Sequence, residues 1–258
     1  MTSLAKNLSI DIETFSSIDL SNCGVYKYVE APDFEVLLFG YSVDGGEVKV
    51  VDLAKGEAIP PEIIDLLKDD KVTKWAFNAA FERICLSRHL GMPTGTYLNP
   101  SAWKCTMVWS AYLGLTLSLK SVAEVLELKE RKLDEGRDLI KYFCTPQRKT
   151  KRNNRTRNYY YHDLLKWSAF VLYNLRDVEV ELAIKDRLTN YPVPDFIWNE
   201  YHEDQRINDR GVLVDSKFVK KCVALNKTSS KELRAVMKEI TNLENPNSVA
   251  QLKMWLEK

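Results

Sequence analysis

Leu8-Ser9-Ile10-Asp11-Ile12-Glu13 alternates apolar and polar residues with a period of two. That is the pattern of a half-buried β-strand, whose successive side chains point to opposite faces. Asp11 and Glu13 therefore project from one face, about 7 Å apart along the strand. Two like charges held that close repel, and each raises the cost of ionising the other. A divalent cation removes that cost, and hard cations take oxygen ligands. The pair is short enough to occur by chance, so its weight depends on what the rest of the chain supplies.

Working outward, Lys6–Ile12 reads as strand one and the apolar run Phe34–Val43 as strand two. Asp44-Gly45-Gly46 is a hairpin turn into the alternating third strand, Glu47–Asp52. Pro60-Pro61 opens a helix to about Lys68. Val72–Phe77 is strand four, and Asn78 is placed to cap a helix running to about His89. Lys104–Met107 fits a short fifth strand. Beyond it Leu117–Leu128, Asp134–Phe143 and His162–Asn190 carry helical spacing. Tyr191-Pro192 closes the last of these, and further helices are expected over Pro194–Asp209, Asp215–Leu243 and Ser248–Glu257. Strands first, then alternating helices and strands, imply an α/β domain with a mixed sheet over residues 1–192. Residues 193–258 are expected to form a separate helical segment.

Composition narrows the chemistry. The 258 residues are 45% hydrophobic and 28% charged, a globular balance. No apolar run reaches about 18 residues, so no membrane span is expected. Met1–Asn7 has no signal-peptide core, which points to a cytoplasmic protein. The five cysteines are dispersed, with no C-x-x-C, and histidines number three, so neither a disulfide framework nor a zinc site is expected. Metal chemistry would run on carboxylates, which suit magnesium or manganese. Lys+Arg is 37 and Asp+Glu 36, so net charge selects no partner. The stretch from Gln147 to Arg157 nevertheless holds six cations, Arg148, Lys149, Lys151, Arg152, Arg155 and Arg157, and no acid. It fits either a phosphate-contacting tract or a solvated loop.

Two further pieces join the acidic pair. Asn78-Ala79-Ala80-Phe81-Glu82 sits where strand four meets a helix, a common site position in α/β folds. Glu82 is the only acid between Lys71 and Glu124. It reads either as a ligand or as an exposed first-turn residue favoured by the helix dipole. Tyr173 and Asp177 lie four apart and share a helix face. They suit a water-holding phenol beside a metal-binding carboxylate, or a core tyrosine and an acid paired with Arg176 or another surface cation. The nearby Glu179 and Glu181 are expected to be solvated.

In order, D-x-E, N-x-x-F-acid and Y-x-x-x-D resemble the three motifs of the DEDD superfamily of 3′–5′ exonucleases, tyrosine branch. The histidine branch would carry His where this chain has Leu172. Tyr26–Glu35, Glu203–Asp215 and Asn245–Leu252 extend the likeness to bacteriophage or prophage family A DNA polymerases. The chain is similar to their front end, without the palm, so no polymerisation is expected from it alone.

The resemblance implies an RNase H-like mixed sheet flanked by helices, followed by a helical tail similar to the start of a polymerase thumb. It implies a proofreading-type exonuclease that removes 5′-monophosphates from single-stranded DNA 3′ ends, in a bacterial or phage-infected cell. Asp11, Glu13, Glu82 and Asp177 would hold two Mg²⁺ or Mn²⁺ ions, and Tyr173 would orient the attacking water. Phe15 and Phe81 would stack on bases, Asn78 would touch the terminal nucleotide, and the basic tract would follow the strand. The family usually has Asp where this chain has Glu82. The added methylene permits direct or water-mediated binding, or a weakened second metal. The alternatives are a catalytically attenuated DNA-binding or structural domain, which Glu82 permits, and an RNA-trimming exonuclease.

Overall fold

A computed structural model of the chain describes residues 5–129, 136–149 and 154–257. Five strands form one sheet in the order β3-β2-β1-β4-β5. They are β1 (Asn7–Phe15), β2 (Glu35–Val43), β3 (Lys49–Asp52), β4 (Thr73–Ala76) and β5 (Trp103–Cys105). β1 lies at the centre, antiparallel to β2 and parallel to β4. Its register sets Asp11 opposite Gly40 and Glu13 opposite Leu38, with a bulge between Glu13 and Thr14. Bulges re-aim side chains and are frequent beside functional sites. The mixed RNase H-like sheet implied by the sequence is therefore present. The fifth strand is Trp103–Cys105 rather than Lys104–Met107, because pairing with β4 ends at Cys105 and the chain turns into a helix.

Eight helices are described around this sheet. They are α1 (Leu20–Tyr28), α2 (Pro61–Lys68), α3 (Ala79–His89), α4 (Thr106–Tyr112), α5 (Leu119–Val125), α6 (Gly136–Phe143), α7 (Leu164–Leu188) and α8 (Asp195–Arg210). Leu8, Ile10 and Ile12 of β1 pack with Ile63 and Leu67 of α2 and Ile84 of α3. On the face that carries Asp11 and Glu13, Phe15 and Leu38 pack with Trp167, Phe170 and Tyr173 of α7. Burying each such side chain stabilises the fold by about 1.5–3 kcal/mol. Asp163 caps α7 by accepting from the Lys166 amide, and the Trp167 indole donates to Asp52 of β3 at 2.7 Å. The first turns of α7 are thereby fixed against β3.

The first compact unit runs to Arg210, beyond the expected domain of residues 1–192. α8 belongs with the sheet because Arg83, almost fully buried, reaches it with both guanidinium nitrogens. Nη1 and Nη2 donate to the two oxygens of Asp209 at 2.9 and 2.7 Å, and the Tyr26 hydroxyl donates to the same carboxylate at 2.7 Å. Gly211–Lys258 forms a second unit holding α9 (Ser216–Thr241) and α10 (Val249–Leu256). Asp215 caps α9 by accepting from the amides of Lys217 and Phe218, and Asn242 ends it in the left-handed conformation. Val212, Leu213 and Phe218 are exposed.

Candidate metal centre

Asp11 and Glu13 from β1 meet Asp177 from α7. One carboxylate oxygen of each lies within 4.8 Å of the others, a spacing that fits a shared cation. Glu13 and Asp177 are buried, and Asp11 is half-buried. Arg176, beside Asp177 in sequence, pairs with Glu179 at 2.9 Å. The three acids border a cleft of about 640 Å³, whose other walls include Phe81, Ile140, Tyr173 and Arg148.

Two glycines let these elements approach. A Cβ on Gly40 would lie 2.6 Å from the Asn174 amide oxygen, so this bare backbone admits α7 against β2. A Cβ on Gly136 would lie 2.0 Å from a Tyr173 ring carbon. The first residue of α6 thus has to be glycine for the phenol to sit where it does. Tyr173 is buried, and its hydroxyl is hydrogen-bonded to Asp177. Burial and then the charges of Asp177, Glu13 and Asp11 push its pKa up, so the phenol stays protonated and acts as a donor.

Glu82 is buried at 4% exposure, which overturns the exposed first-turn reading. Helix α3 starts at Ala79, with two residues between it and the end of β4, and Glu82 lies in its first turn. Burial, then the charge of Asp11, raises its pKa well above the carboxylate range, with smaller contributions from Glu13 and Glu181. Its Oε2 is buried without a hydrogen-bond partner. Such an oxygen is costly unless a proton or a cation joins it. The donor set is all carboxylate and suits a divalent cation. Glu82 does not belong to the group of three whose oxygens converge, so its link to them is electrostatic.

Other residues lend support that the sequence did not signal. Asn174, fully buried, donates from Nδ2 to the Asp11 carboxylate at 2.7 Å and to the Asp11 carbonyl at 3.1 Å. The Cys144 thiol donates to Glu13 Oε2 at 3.5 Å, and burial followed by the Glu13 charge keeps that thiol protonated. Glu181 is buried, not solvated. The Thr106 hydroxyl donates to it, and Lys185, which donates to the Ser9 hydroxyl at 2.9 Å, offsets its charge.

The remaining expected contacts divide. Phe81 is half-buried, lines the cleft and packs against Tyr28 with ring centroids 6.2 Å apart. Phe15 is only 3% exposed, so it presents no open face for a base; the Arg157 guanidinium lies 4.0 Å from its ring centroid. Asn78 is exposed and left-handed (φ 85), and its side chain makes no capping hydrogen bond. It is not among the residues lining the cleft. Arg148 lines the cleft, while Lys149 and Arg155 are exposed. Arg157 is paired with Glu35. Lys151 and Arg152 lie outside the described residues. Among the described residues no helix is long and apolar enough to cross a membrane.

No protein-family model matches the chain. Solved structures with a similar chain path include a nuclease in its apo form, with TM-score 0.48 and 18% identity over 79% of this chain and 81% of that one. Escherichia coli RNase D gives TM-score 0.43 and 15% identity over 81% and 46%. Brucella melitensis NrnC with bound Mg²⁺ gives 0.41 and 18% over 80% and 82%. Likenesses this distant carry no information on substrate. Sequence comparison reaches further. The DNA polymerase of Bacillus phage SP02 is 47% identical over 253 residues, 98% of this chain and 38% of the polymerase. The chain is thus homologous to part of a phage DNA polymerase.

Proposed function

We propose that this chain is a metal-dependent 3′–5′ exonuclease of the proofreading type, acting on single-stranded DNA 3′ ends within a family A polymerase. The observation that carries this reading is the convergence of Asp11, Glu13 and Asp177 within 4.8 Å, beside a protonated phenol and in an open cleft. Asp11, Glu13 and Asp177 would hold Mg²⁺ or Mn²⁺, with Glu82 supporting a second ion. Bound ions supply Lewis-acid charge that activates water and stabilises the leaving 3′-oxygen in an in-line displacement.

The chain's own residues do the rest. Tyr173, its proton directed to Asp177, would orient the attacking water. Asn174 holds the Asp11 carboxylate in one rotamer. Phe81 offers the terminal base an apolar wall, and Arg148 at the cleft rim meets a phosphate. The route needs no protein nucleophile, and its product is a nucleoside 5′-monophosphate. The helices of residues 211–258 would join the remainder of a polymerase. The protein would act in the cytoplasm.

Glu82 favours a second reading, an attenuated DNA-binding domain, because its carboxylate stands outside the converging three. A 5′-labelled strand with an unpaired 3′ end separates the readings. In Mg²⁺ or Mn²⁺ the exonuclease produces a ladder shortening from the 3′ end, abolished by EDTA. Binding with no ladder in either metal selects the attenuated domain. Faster loss of a matched RNA selects RNA trimming.

A further inference from the structure

The segment from Cys144 to His162 contains no acid, and it ends in Tyr159-Tyr160-Tyr161-His162. Tyr159 and Tyr161 are 40% and 58% exposed, yet they are ordered against each other. Their rings are parallel within 5° at a centroid separation of 5.4 Å. Exposed tyrosines gain little from water, and a surface that fixes two of them face to face has prepaid the cost of ordering them.

Several contacts fix this pair. The Tyr159 amide donates to His162 Nδ1 at 2.8 Å, and the His162 ring lies 4.5 Å from that of Tyr161. Arg157 lies 4.6 Å from the Tyr159 centroid and 4.0 Å from that of Phe15, with Glu35 bonding its guanidinium. Arg157 is thus a brace between the strand of the acidic site and the tyrosines. Phe15 is two residues beyond Glu13 on β1, so the brace ties Tyr159 to the strand that carries Asp11 and Glu13.

Charge accompanies the rings. The Gln147 amide donates to the Thr156 carbonyl at 2.8 Å, bringing the two ends of the basic tract together. Arg148 at one end of that tract lines the acidic cleft, and Arg155 at the other stands near enough to His162 to lower its pKa, after burial. Cations at the cleft, Arg148 and Lys149, and beside the aromatic pair, Arg155, are the combination that holds a single strand. The cations follow phosphates while the rings stack on bases of any identity. A protein partner would need apolar shape rather than a one-sign loop, so the charge favours nucleic acid.

We propose that Tyr159 and Tyr161 form a second contact surface for single-stranded DNA, holding bases upstream of the 3′ end that lies at the carboxylates. The proposal rests on the exonuclease reading and adds the length of strand that the protein grips.

The test is binding of 5′-fluorescein-labelled dT3 and dT12 by the full chain in EDTA, followed by anisotropy. Wild type should bind dT12 much more tightly than dT3. In Tyr159→Ala/Tyr161→Ala the dT12 advantage should fall by about tenfold or more, the loss expected for removed stacking. Tyr159→Phe/Tyr161→Phe keeps the rings and should retain the advantage. An unchanged ratio in the alanine variant, with wild type binding dT12 and degrading it in Mg²⁺, overturns this surface and leaves the exonuclease standing. If wild type neither binds nor degrades either strand, both readings fall.

Discussion

Asn174 donates to Asp11 twice, to the carboxylate at 2.7 Å and to the carbonyl at 3.1 Å. One buried amide thereby ties the centre of β1 to α7 at the turn that also carries Tyr173 and Asp177. Removing it frees the Asp11 carboxylate and leaves a void against Gly40. Asn174→Ala should lower exonuclease activity or metal affinity by about 10–100-fold, as losses of ligand-orienting partners do. Stability should fall by about 1–3 kcal/mol. Metal titrations of activity and urea unfolding measure the two effects separately. An Asn174→Ala variant with wild-type metal dependence would show that Asp11 needs no such support.

Gly136 is a steric test of the tyrosine. A methyl group there cannot coexist with the present Tyr173 ring, the Cβ lying 2.0 Å from it. Gly136→Ala should displace the phenol and cost about 100-fold in rate, the scale of a misplacement of about 1 Å. DNA affinity should change far less. Single-turnover kinetics beside anisotropy would show whether rate and binding separate in this way.

Arg83 and Asp209 define where the first unit ends. The pair is bidentate, and Arg83 is 1% exposed. Breaking a buried pair by removing one partner costs about 3–5 kcal/mol. Asp209→Ala should destabilise the first unit by that order, as measured by urea unfolding. A chain cut after Arg210 should fold cooperatively, and one cut after Pro192 should be much less stable. Equal stability of the two truncations would restore the boundary at Pro192.

The basic tract should not act as one body. Arg148 lines the cleft and Lys149 is exposed, whereas Arg157 is held by Glu35 and two rings. Affinity for single strands should fall with salt, by about 0.7 in log–log slope per phosphate contacted. Arg148→Ala and Lys149→Ala should each reduce that slope by about this amount. Arg157→Ala should instead lower stability and disorder the Tyr159 ring. Anisotropy titrations across salt concentrations distinguish the two behaviours.

Much of the architecture was legible because local pattern and tertiary demand agree. The period of two in β1 reports its burial on one face, and the Tyr173–Asp177 spacing reports a shared helix face. Where a residue's fate depends on distant partners, local pattern is silent. Nothing near Glu82 signals burial, which follows from the packing of α3 beside β1. Glu181 looks solvated in sequence but meets Thr106, 75 residues away. Phe15 looks available to a base in sequence but is buried against Trp167 and Phe170 of α7. Asp209 joins the first unit through Arg83, 126 residues distant, so the prolines at 192 and 194 mark a turn and not a boundary. α1 carries no clear helical period and is broken by non-helical angles at Gly24.

The most direct test of the metal centre is release of the terminal nucleotide from a 3′-labelled single strand, by wild type and by Asp11→Ala shown by circular dichroism to be folded. The account predicts that wild type in Mg²⁺ or Mn²⁺ releases the label first as a 5′-mononucleotide, and that Asp11→Ala releases none. Label leaving in longer fragments, or mononucleotide appearing equally fast with the variant, would contradict it.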